Sequence, residues 1–435
     1  MGRRSATTLP EPGAYACVGD VIDADTVHAV FQPLVELDSG AVIAYEALAR
    51  GPAGTPWESP AALFGAAARE GRVPELDWAC RAAAFRAALA AGLDLPLFVN
   101  IEPASLRTPC PPHLQEVVQA ASTRLRIVFE VTERAVASDP AGLLAAVARA
   151  RAGGAGIALD DVGAEPASLA MMPFVDPDVV KLDLRLVQER TSPEVAGIVT
   201  AVLAHAERTG ARVLAEGIED SRHVDVARTL GASLGQGWLF GRPGRLPRRP
   251  AAGSRPDVLR FRPAPDLGPA DTPFSVVSAR RPTVRSSKEL LLPLSLHLEQ
   301  RSLTVEPGVL LACFQDAVHF TPATRERYEK LAGATVLTGA LGVGMPAVPA
   351  AGVRGGRLEP DEPLRGEWDV VVVGPQFASA LVARDLGDTG PDRERRFDVV
   401  ITHDRDLVIQ AALTLVHRLL AERPGVVPDA WATPT

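Results

Sequence analysis

The 435-residue chain is poor in cysteine, in lysine and in long apolar runs, and each shortage narrows what it can be. Its four cysteines, Cys17, Cys80, Cys110 and Cys313, are scattered with no C-x-x-C pair. Neither a disulfide framework nor a zinc knuckle is therefore expected, and a reducing cytoplasm is the simplest home. No stretch reaches the roughly 18 uninterrupted apolar residues of a membrane span. Leu290 to Leu298 is apolar but short, and Pro293, Ser295 and His297 break it. The basic Met1-Gly2-Arg3-Arg4 leads into no apolar segment, so no secretory signal and no membrane partner are expected. Positive charge is not in excess either. A formal net charge of −8 argues against direct nucleic-acid binding, while leaving open a phosphate substrate met by metals and a few placed cations. There is no G-x-x-x-x-G-K phosphate loop.

The lysine shortage is informative in itself. Of 45 basic residues only Lys181, Lys288 and Lys330 are lysines. Lys288 and Lys330 stand in helix-like surface contexts. Lys181 instead follows a β-branched run at a predicted strand end, where a solvated charge does not belong. A compact ammonium there cannot be exchanged for a planar guanidinium without changing geometry, which marks Lys181 as functional.

What is present is a repeated pattern. Hydrophobic content of 47% and charged content of 23% are those of a globular protein, and the length predicts two domains. Short apolar stretches run directly into charged residues: Leu125–Phe129 into Glu130, Gly156–Leu159 into Asp160-Asp161, Val179-Val180 into Lys181, and Ala211–Ala215 into Glu216. Ala/Leu/Arg-rich segments of helical length lie between them. Strand, charged rim, helix, repeated, describes an α/β barrel whose reacting groups gather at one end. A hairpin is predicted at its start, with a turn at Asp38-Ser39-Gly40, and a last short strand around Gln236–Phe240.

The expected organisation is a lead-in over 1–20, the barrel over 21–243, a Pro/Arg-rich linker over 244–264, a second and smaller α/β domain over 265–425, and a tail over 426–435. In the second domain, strands are predicted at 274–277, 308–312, 334–337, 368–373 and 397–401. Helices are predicted near 286–299, 322–332, 376–386 and 405–422.

The polar residues at the barrel's strand ends are Glu46, Asn100, Glu130, Asp160, Asp161, Lys181, Glu216 and Gln236. Burying so many acids together is costly unless a cation neutralises them. A carboxylate-and-amide set suits hard cations such as Mg²⁺ or Mn²⁺. Adjacent aspartates let one carboxylate bridge two ions while the other serves one. Two ions about 3.5–4 Å apart stabilise in-line attack on a phosphodiester, and a nearby lysine orients the water or balances charge. Each residue taken alone has a plainer reading. Glu130 and Glu133 could favour a helix dipole, Asn100 could be a turn residue and Arg50 a solvated loop residue. Asp220 or Ser221 reads as a helix N-cap. His28, His113, His205 and His223 read as surface or packing residues, and Trp57 and Trp78 as core or interface.

Over residues 25–243 these features together resemble the EAL-domain phosphodiesterases of cyclic di-GMP. The resemblance rests on Gln32-Pro33, the literal Glu46-Ala47-Leu48 with Arg50, Val99-Asn100, and Phe129-Glu130-Val131-Thr132-Glu133. It continues through Leu159-Asp160-Asp161, Val180-Lys181-Leu182-Asp183, Glu216-Gly217-Ile218-Glu219 and Gln236-Gly237-Trp238-Leu239-Phe240. It implies a modified (β/α)8 barrel with one antiparallel strand, and two Mg²⁺ or Mn²⁺ ions per site held by Glu46, Asn100, Glu130, Asp160, Asp161 and Glu216. It further implies that Lys181 and Glu216 are catalytic, and that Gln32, Leu48, Arg50, Asp183, Glu219 and Gln236 bind substrate. Glu133 would tether the loop after Asp161. The partners implied are cyclic di-GMP, hydrolysed to linear pGpG, and a second copy in a homodimer.

The segment Val162-Gly163-Ala164-Glu165-Pro166-Ala167-Ser168-Leu169 departs from the family's Phe-Gly-Thr-Gly-Tyr-Ser-Ser-Leu, which bears on turnover and regulation. A non-catalytic receptor and an interaction scaffold therefore stand as alternatives, although neither has a chemical use for Lys181 and Glu216. Residues 265–425 resemble the DICT sensory domain through Ser295–Glu299, Cys313-Phe314-Gln315, Arg327–Ala332 and Trp368–Phe377. His297 with Glu299, and Cys313 with His319, leave a ligand or redox sensor open beside a dimerisation role.

Overall fold

The Asp38-Ser39-Gly40 turn, with Gly40 at a φ of +67°, folds β1 (His28–Glu36) back on β2 (Val42–Arg50) in an antiparallel hairpin that sets Gln32 opposite Glu46. The computed structural model describes residues 15–102, 105, 108–132, 139–163, 166–188, 192–247, 258–263, 271–303 and 308–420. Six further strands continue the sheet: β3 (Leu97–Asn100), β4 (Ile127–Thr132), β5 (Gly156–Val162), β6 (Val179–Leu182), β7 (Arg212–Ala215) and β8 (Leu234–Gly235). From β2 to β8 every pairing is parallel, and β8 closes on β1 antiparallel. The result is the modified (β/α)8 barrel with a single reversed strand. The last strand ends at Gly235, so Gln236–Phe240, expected as a strand, is a turn instead.

Helices wrap the barrel: α1 (Val18–Asp23), α2 (Pro60–Glu70), α3 (Val73–Ala91), α4 (Gln115–Arg124), α5 (Pro140–Ala152), α6 (Pro166–Val175), α7 (Leu184–Gln188), α8 (Pro193–Thr209) and α9 (Ser221–Thr229). Local chemistry fixes their ends. Ser59, Asp139, Ser192 and Asp220 cap N-termini with side-chain oxygens, and proline follows the first three. The expected lead-in is partly structured, since Val18 and Val21 of α1 are buried against α2 and α3.

Strand alternation builds the barrel interior in layers. Leu34, Ala44, Phe98, Val128, Ala158, Val179, Leu214 and Leu234, one from each strand, join a single interior cluster. The next inward position, two residues nearer the rim, is in turn Gln32, Glu46, Asn100, Glu130, Asp160, Lys181, Glu216 and Gln236. An apolar plug therefore supports a polar ring.

The opposite mouth is closed by residues from the expected linker. Leu259 is buried in the same interior cluster, with Val258 and Phe261 against it. Arg126 Nη2 donates to the Leu259 carbonyl at 2.6 Å, and the Arg262 amide donates to Asp178 Oδ1 at 2.9 Å. A Cβ on Gly156 would stand 2.7 Å from the Phe261 ring. Residues 258–263 thus act as a stopper at that mouth.

The second domain is built on a seven-stranded mixed sheet. Its strands are β9 (Val284–Ser287), β10 (Val309–Asp316), β11 (Leu337–Val343), β12 (Val353–Leu358), β13 (Glu367–Val373), β14 (Ala378–Asp385) and β15 (Arg396–Thr402), in the order β12-β11-β10-β13-β14-β15-β9. One face packs on α11 (Lys288–Arg301) and α12 (Pro322–Ala332), the other on α10 (Pro273–Ser278) and α13 (Arg405–Leu420). Three expectations fail here, the first being the strand over 334–337, of which only Leu337 belongs to one, β11. Phe274–Val277 is helical, because Thr272 caps Pro273 with a reciprocal Ser275 bond. Residues 376–386 hold a strand: Ala378–Asp385 is rich in helix formers, but it pairs on both edges and is buried, and tertiary context outweighs propensity.

Helix α13 also touches α5 and α6 of the barrel. Ion pairs Arg208–Asp406 at 3.2 Å and Arg354–Asp139 at 3.7 Å flank that contact.

Candidate active site

The ring residues reach one another because each strand delivers one inward side chain at the same level. At β5 the register slips between Leu159 and Val162, and Asp161 takes a φ of +58°. Aspartate tolerates that left-handed conformation better than most residues. The bulge lets two successive carboxylates serve one site. One carboxylate oxygen from each of Asp160, Asp161 and Glu216 falls within a 4.8 Å span.

Lys181 is the hub. Its Nζ lies 2.7 Å from Glu130 Oε1, 2.9 Å from Asp160 Oδ1, 2.9 Å from Glu216 Oε1 and 3.8 Å from Glu46 Oε2. These acids come from β2, β4 and β5 and from the end of β7. Asn100 Nδ2 bridges Glu46 Oε1 at 3.3 Å and Glu130 Oε2 at 3.0 Å. Gln236 Nε2 donates to Glu46 Oε2 at 2.5 Å and to Gln32 Oε1 at 3.2 Å, and Gln32 Nε2 donates to the Gly241 carbonyl at 3.0 Å. Glu46, Glu130, Asp160, Lys181, Gln32 and Gln236 are all buried.

One ammonium cannot balance this many acids. Burial and the charge of Glu46 push the Glu130 carboxyl well above its usual range, against the pull of Lys181. Burial raises Glu216 to about 8, with Lys181 opposing and Asp160 and Glu46 adding. Burial works against the Lys181 ammonium, but the charges of Asp160, Glu130, Glu216 and Glu46 outweigh it and hold its pKa well above normal. Such a set calls for added positive charge. Clustered carboxylate oxygens are donors of the kind magnesium and manganese take, so the residues fit divalent cations.

The remaining residues from the sequence reading distribute as follows. Leu48 and Arg50 follow Glu46 on the same face of β2, toward the rim, and both are half-buried. The Arg50 guanidinium donates to the Ala49 carbonyl at 2.8 Å. Asp183 opens α7, accepting from the Arg185 amide at 2.8 Å and Arg185 Nε at 2.9 Å. Glu219 is exposed in the loop between β7 and α9, and its amide donates to His223 Nδ1 at 3.2 Å. Glu133 lies outside the described residues. Asp220 caps α9, as its plainer reading held.

One supporting group escaped the sequence reading. Asp77 and Arg81, both buried on α3, pair at 2.6 Å, while Asp77 also accepts from Ser105 and from the Glu102 amide. They brace the chain just after Asn100 and border a cavity of about 240 Å³ that Leu48 and Asn100 also line. An acid and a base at i,i+4 spacing on a helix was the available signal, but it is common on solvated faces.

Residues 18–243 match the family model described as the EAL domain, and residues 275–386 match DICT, described as a sensory domain in diguanylate cyclases and two-component systems. The cyclic di-GMP phosphodiesterase RocR of Pseudomonas aeruginosa is 31% identical over 245 residues, covering 52% of this chain and 60% of that protein. The probable cyclic di-GMP phosphodiesterase PdeB of Escherichia coli is 29% identical over 227 residues, covering 51% of this chain and 43% of that protein. The manganese/cyclic di-GMP complex of Klebsiella pneumoniae BlrP1 shares 31% identity, with 50% of this chain and 56% of that one covered, at a TM-score of 0.45. The chain thus spans 60% or less of the length of each of these relatives. Among the described residues no helix is long and apolar enough to cross a membrane.

Proposed function

The chain belongs to the EAL family, and on that basis we propose that it is a metal-dependent phosphodiesterase that opens cyclic di-GMP to linear pGpG under the influence of its C-terminal domain. The observation that carries the reading is Lys181 enclosed by carboxylates from four strands, three of them within 2.9 Å. A purely structural ring would not retain so many buried acids around one cation.

In this reading Glu46, Asn100, Glu130, Asp160, Asp161 and Glu216 hold two Mg²⁺ or Mn²⁺ ions. Bound there, the ions polarise the phosphoryl oxygens and make water a better nucleophile at neutral pH. Lys181 Nζ orients the attacking water and balances negative charge developing on the phosphorus centre. Glu216 Oε1, at 2.9 Å from that ammonium, takes the proton the water loses. Gln32, Leu48, Arg50, Asp183, Glu219 and Gln236 line the substrate's path, and Arg50 gives a phosphate oxygen a planar, charge-assisted donor. Cytoplasmic placement and a homodimer belong to the same reading, supported by the cysteine usage and by the resemblance respectively.

Incubating the full chain with cyclic di-GMP and either Mg²⁺ or Mn²⁺, and resolving the products by chromatography, tests the proposal. The expected product is pGpG. Binding without product in either metal would replace the hydrolase with a receptor.

A further inference from the structure

Helix α11 of the second domain carries leucine on both of its sides. Leu291 and Leu298 face inward, into the cluster that Leu381 and Val399 of the sheet share. Leu290, Leu292 and Leu294 face outward at 66%, 47% and 45% exposure, with Pro293 exposed among them. Val284, opposite Val399 in the ladder, and Ile401, opposite Leu381, stand on the same sheet face at 66% and 42% exposure. A helix that only roofed its own sheet would turn polar side chains outward here.

The five exposed side chains leave roughly 450 Å² of apolar surface in water, a patch of the size proteins use for binding. Buried against an identical patch, that becomes about 900 Å² of covered apolar surface. At the usual apolar share of about 60%, the whole interface would measure about 1,500 Å², the size of a stable dimer contact.

Charge and position select the occupant. Glu289 lies at the start of this exposed side and Arg301 at its end, both exposed. The Arg301 guanidinium packs 5.1 Å over the Phe377 ring, which fixes it there. Helical rise sets the two charges about 18 Å apart. A second α11 running antiparallel brings each Glu289 opposite Arg301 of the other copy, with Leu294 near the two-fold axis. The face is therefore complementary to itself. The other sheet face meets the barrel through α13, so a copy seated on α11 displaces no contact between the domains.

We propose that α11 is a homodimer interface, seating a second copy of this chain in antiparallel two-fold contact over Leu290, Leu292 and Leu294. The contact lies on the second domain rather than on the barrel and does not depend on the hydrolase reading.

Sedimentation velocity of the full chain at micromolar concentrations tests this. The parent is expected to dimerise. Leu294→Glu sets two carboxylates near the axis and is expected to raise the dimer dissociation constant about a hundredfold or more, with a thermal midpoint close to the parent's. Glu289→Arg and Arg301→Glu are each expected to weaken the dimer about tenfold, since each enters the contact twice, and together to restore it to within about threefold of the parent. That restoration decides the matter even where Leu294→Glu fails to fold. Weakening by both reversals without restoration in the double variant would overturn the antiparallel contact. A parent dimer that none of these variants weakens would overturn the interface and leave dimerisation to the barrel. A monomeric parent would overturn it together with the homodimer of the functional reading, whereas pGpG formation is read separately.

Discussion

Lys181 Nζ lies 2.7 Å from Glu130 Oε1, and the two side chains are 1% and 0% exposed. The Lys181 ammonium both attracts the Glu130 carboxylate through its charge and donates a hydrogen bond to it, which opposes the upward push of burial. Removing the ammonium leaves Glu130, Asp160 and Glu216 facing one another without compensation. Lys181→Met is expected to cost about 3–5 kcal/mol in metal-free buffer, the usual result of stranding buried charge. Mn²⁺ should restore stability more in the variant than in the parent, as followed by urea denaturation. Turnover of cyclic di-GMP should fall about a hundredfold or more, because a donor aimed at developing charge is lost. Equal urea midpoints with and without Lys181 would contradict the charge argument.

Asp161 sits on the β5 bulge with its carboxylate near those of Asp160 and Glu216. Asp161→Asn keeps the shape and removes one charge. Mn²⁺ affinity, measured by calorimetry on the chelator-stripped chain, should weaken about tenfold or more. The metal-free chain should be no less stable than the parent, since repulsion among the acids is relieved. Unchanged Mn²⁺ affinity would remove Asp161 from the ligand set.

Glu367 in the second domain is buried, and burial raises its pKa to about 7. Hydrogen bonds from Thr272 and the Phe274 amide, and the charges of Arg418 and Arg384, oppose that shift. Between the usual carboxylate value and about 7, the folded chain keeps a proton that the unfolded chain has released. Stability therefore falls as pH rises through that window and levels off above it. Glu367→Gln removes this slope and is expected to gain on the order of 1–3 kcal/mol over the parent at pH 8 relative to pH 4, read as melting midpoints. Neighbouring Asp369, raised by burial and by Glu367, keeps a share of its own slope. An equal gain at both pH values would show that packing, not titration, governs the site.

His205 on α8 is buried, and burial together with the charges of Arg208, Arg262 and Arg405 lowers its pKa to about 3. Arg405 comes from α13 of the second domain and adds its charge to that of the barrel's own arginines. The folded imidazole is neutral where the unfolded one is protonated, so stability declines as pH falls from about 6.5 toward 3. Between pH 6.5 and 5 that decline is about 1.6 kcal/mol. His205→Leu should flatten it in thermal melts across that range. A decline of the same size in the variant would assign it to other groups.

Parts of this molecule were legible from sequence because local rules and tertiary structure agree there. The hairpin of β1 and β2 follows from alternation around a glycine turn, and the helical-length segments between the barrel strands carry helices such as α5 and α8. Ala378–Asp385 was misread because alanine, leucine and arginine favour a helix, and only pairing with β13 and β15 makes a strand of them. The Pro/Arg-rich stretch around Leu259 lacked periodicity, and its value lies in filling a hole that exists only once eight strands have closed.

Alternation by itself determined which residues can share the inward ring, while the further candidates came from the family resemblance. In each barrel strand an apolar residue is followed, or in the reversed strand preceded, at a spacing of two by a polar one, and that pattern is written in the chain. Tertiary structure alone decided that these residues meet. Closure carries Glu46 and Glu216, 170 positions apart in sequence, to the same ammonium, and the β5 bulge turns Asp161 toward Asp160. The physical reason is that strand period is a property of neighbouring residues. The distance between side chains on different strands is set by barrel curvature and register, which no short stretch of sequence encodes.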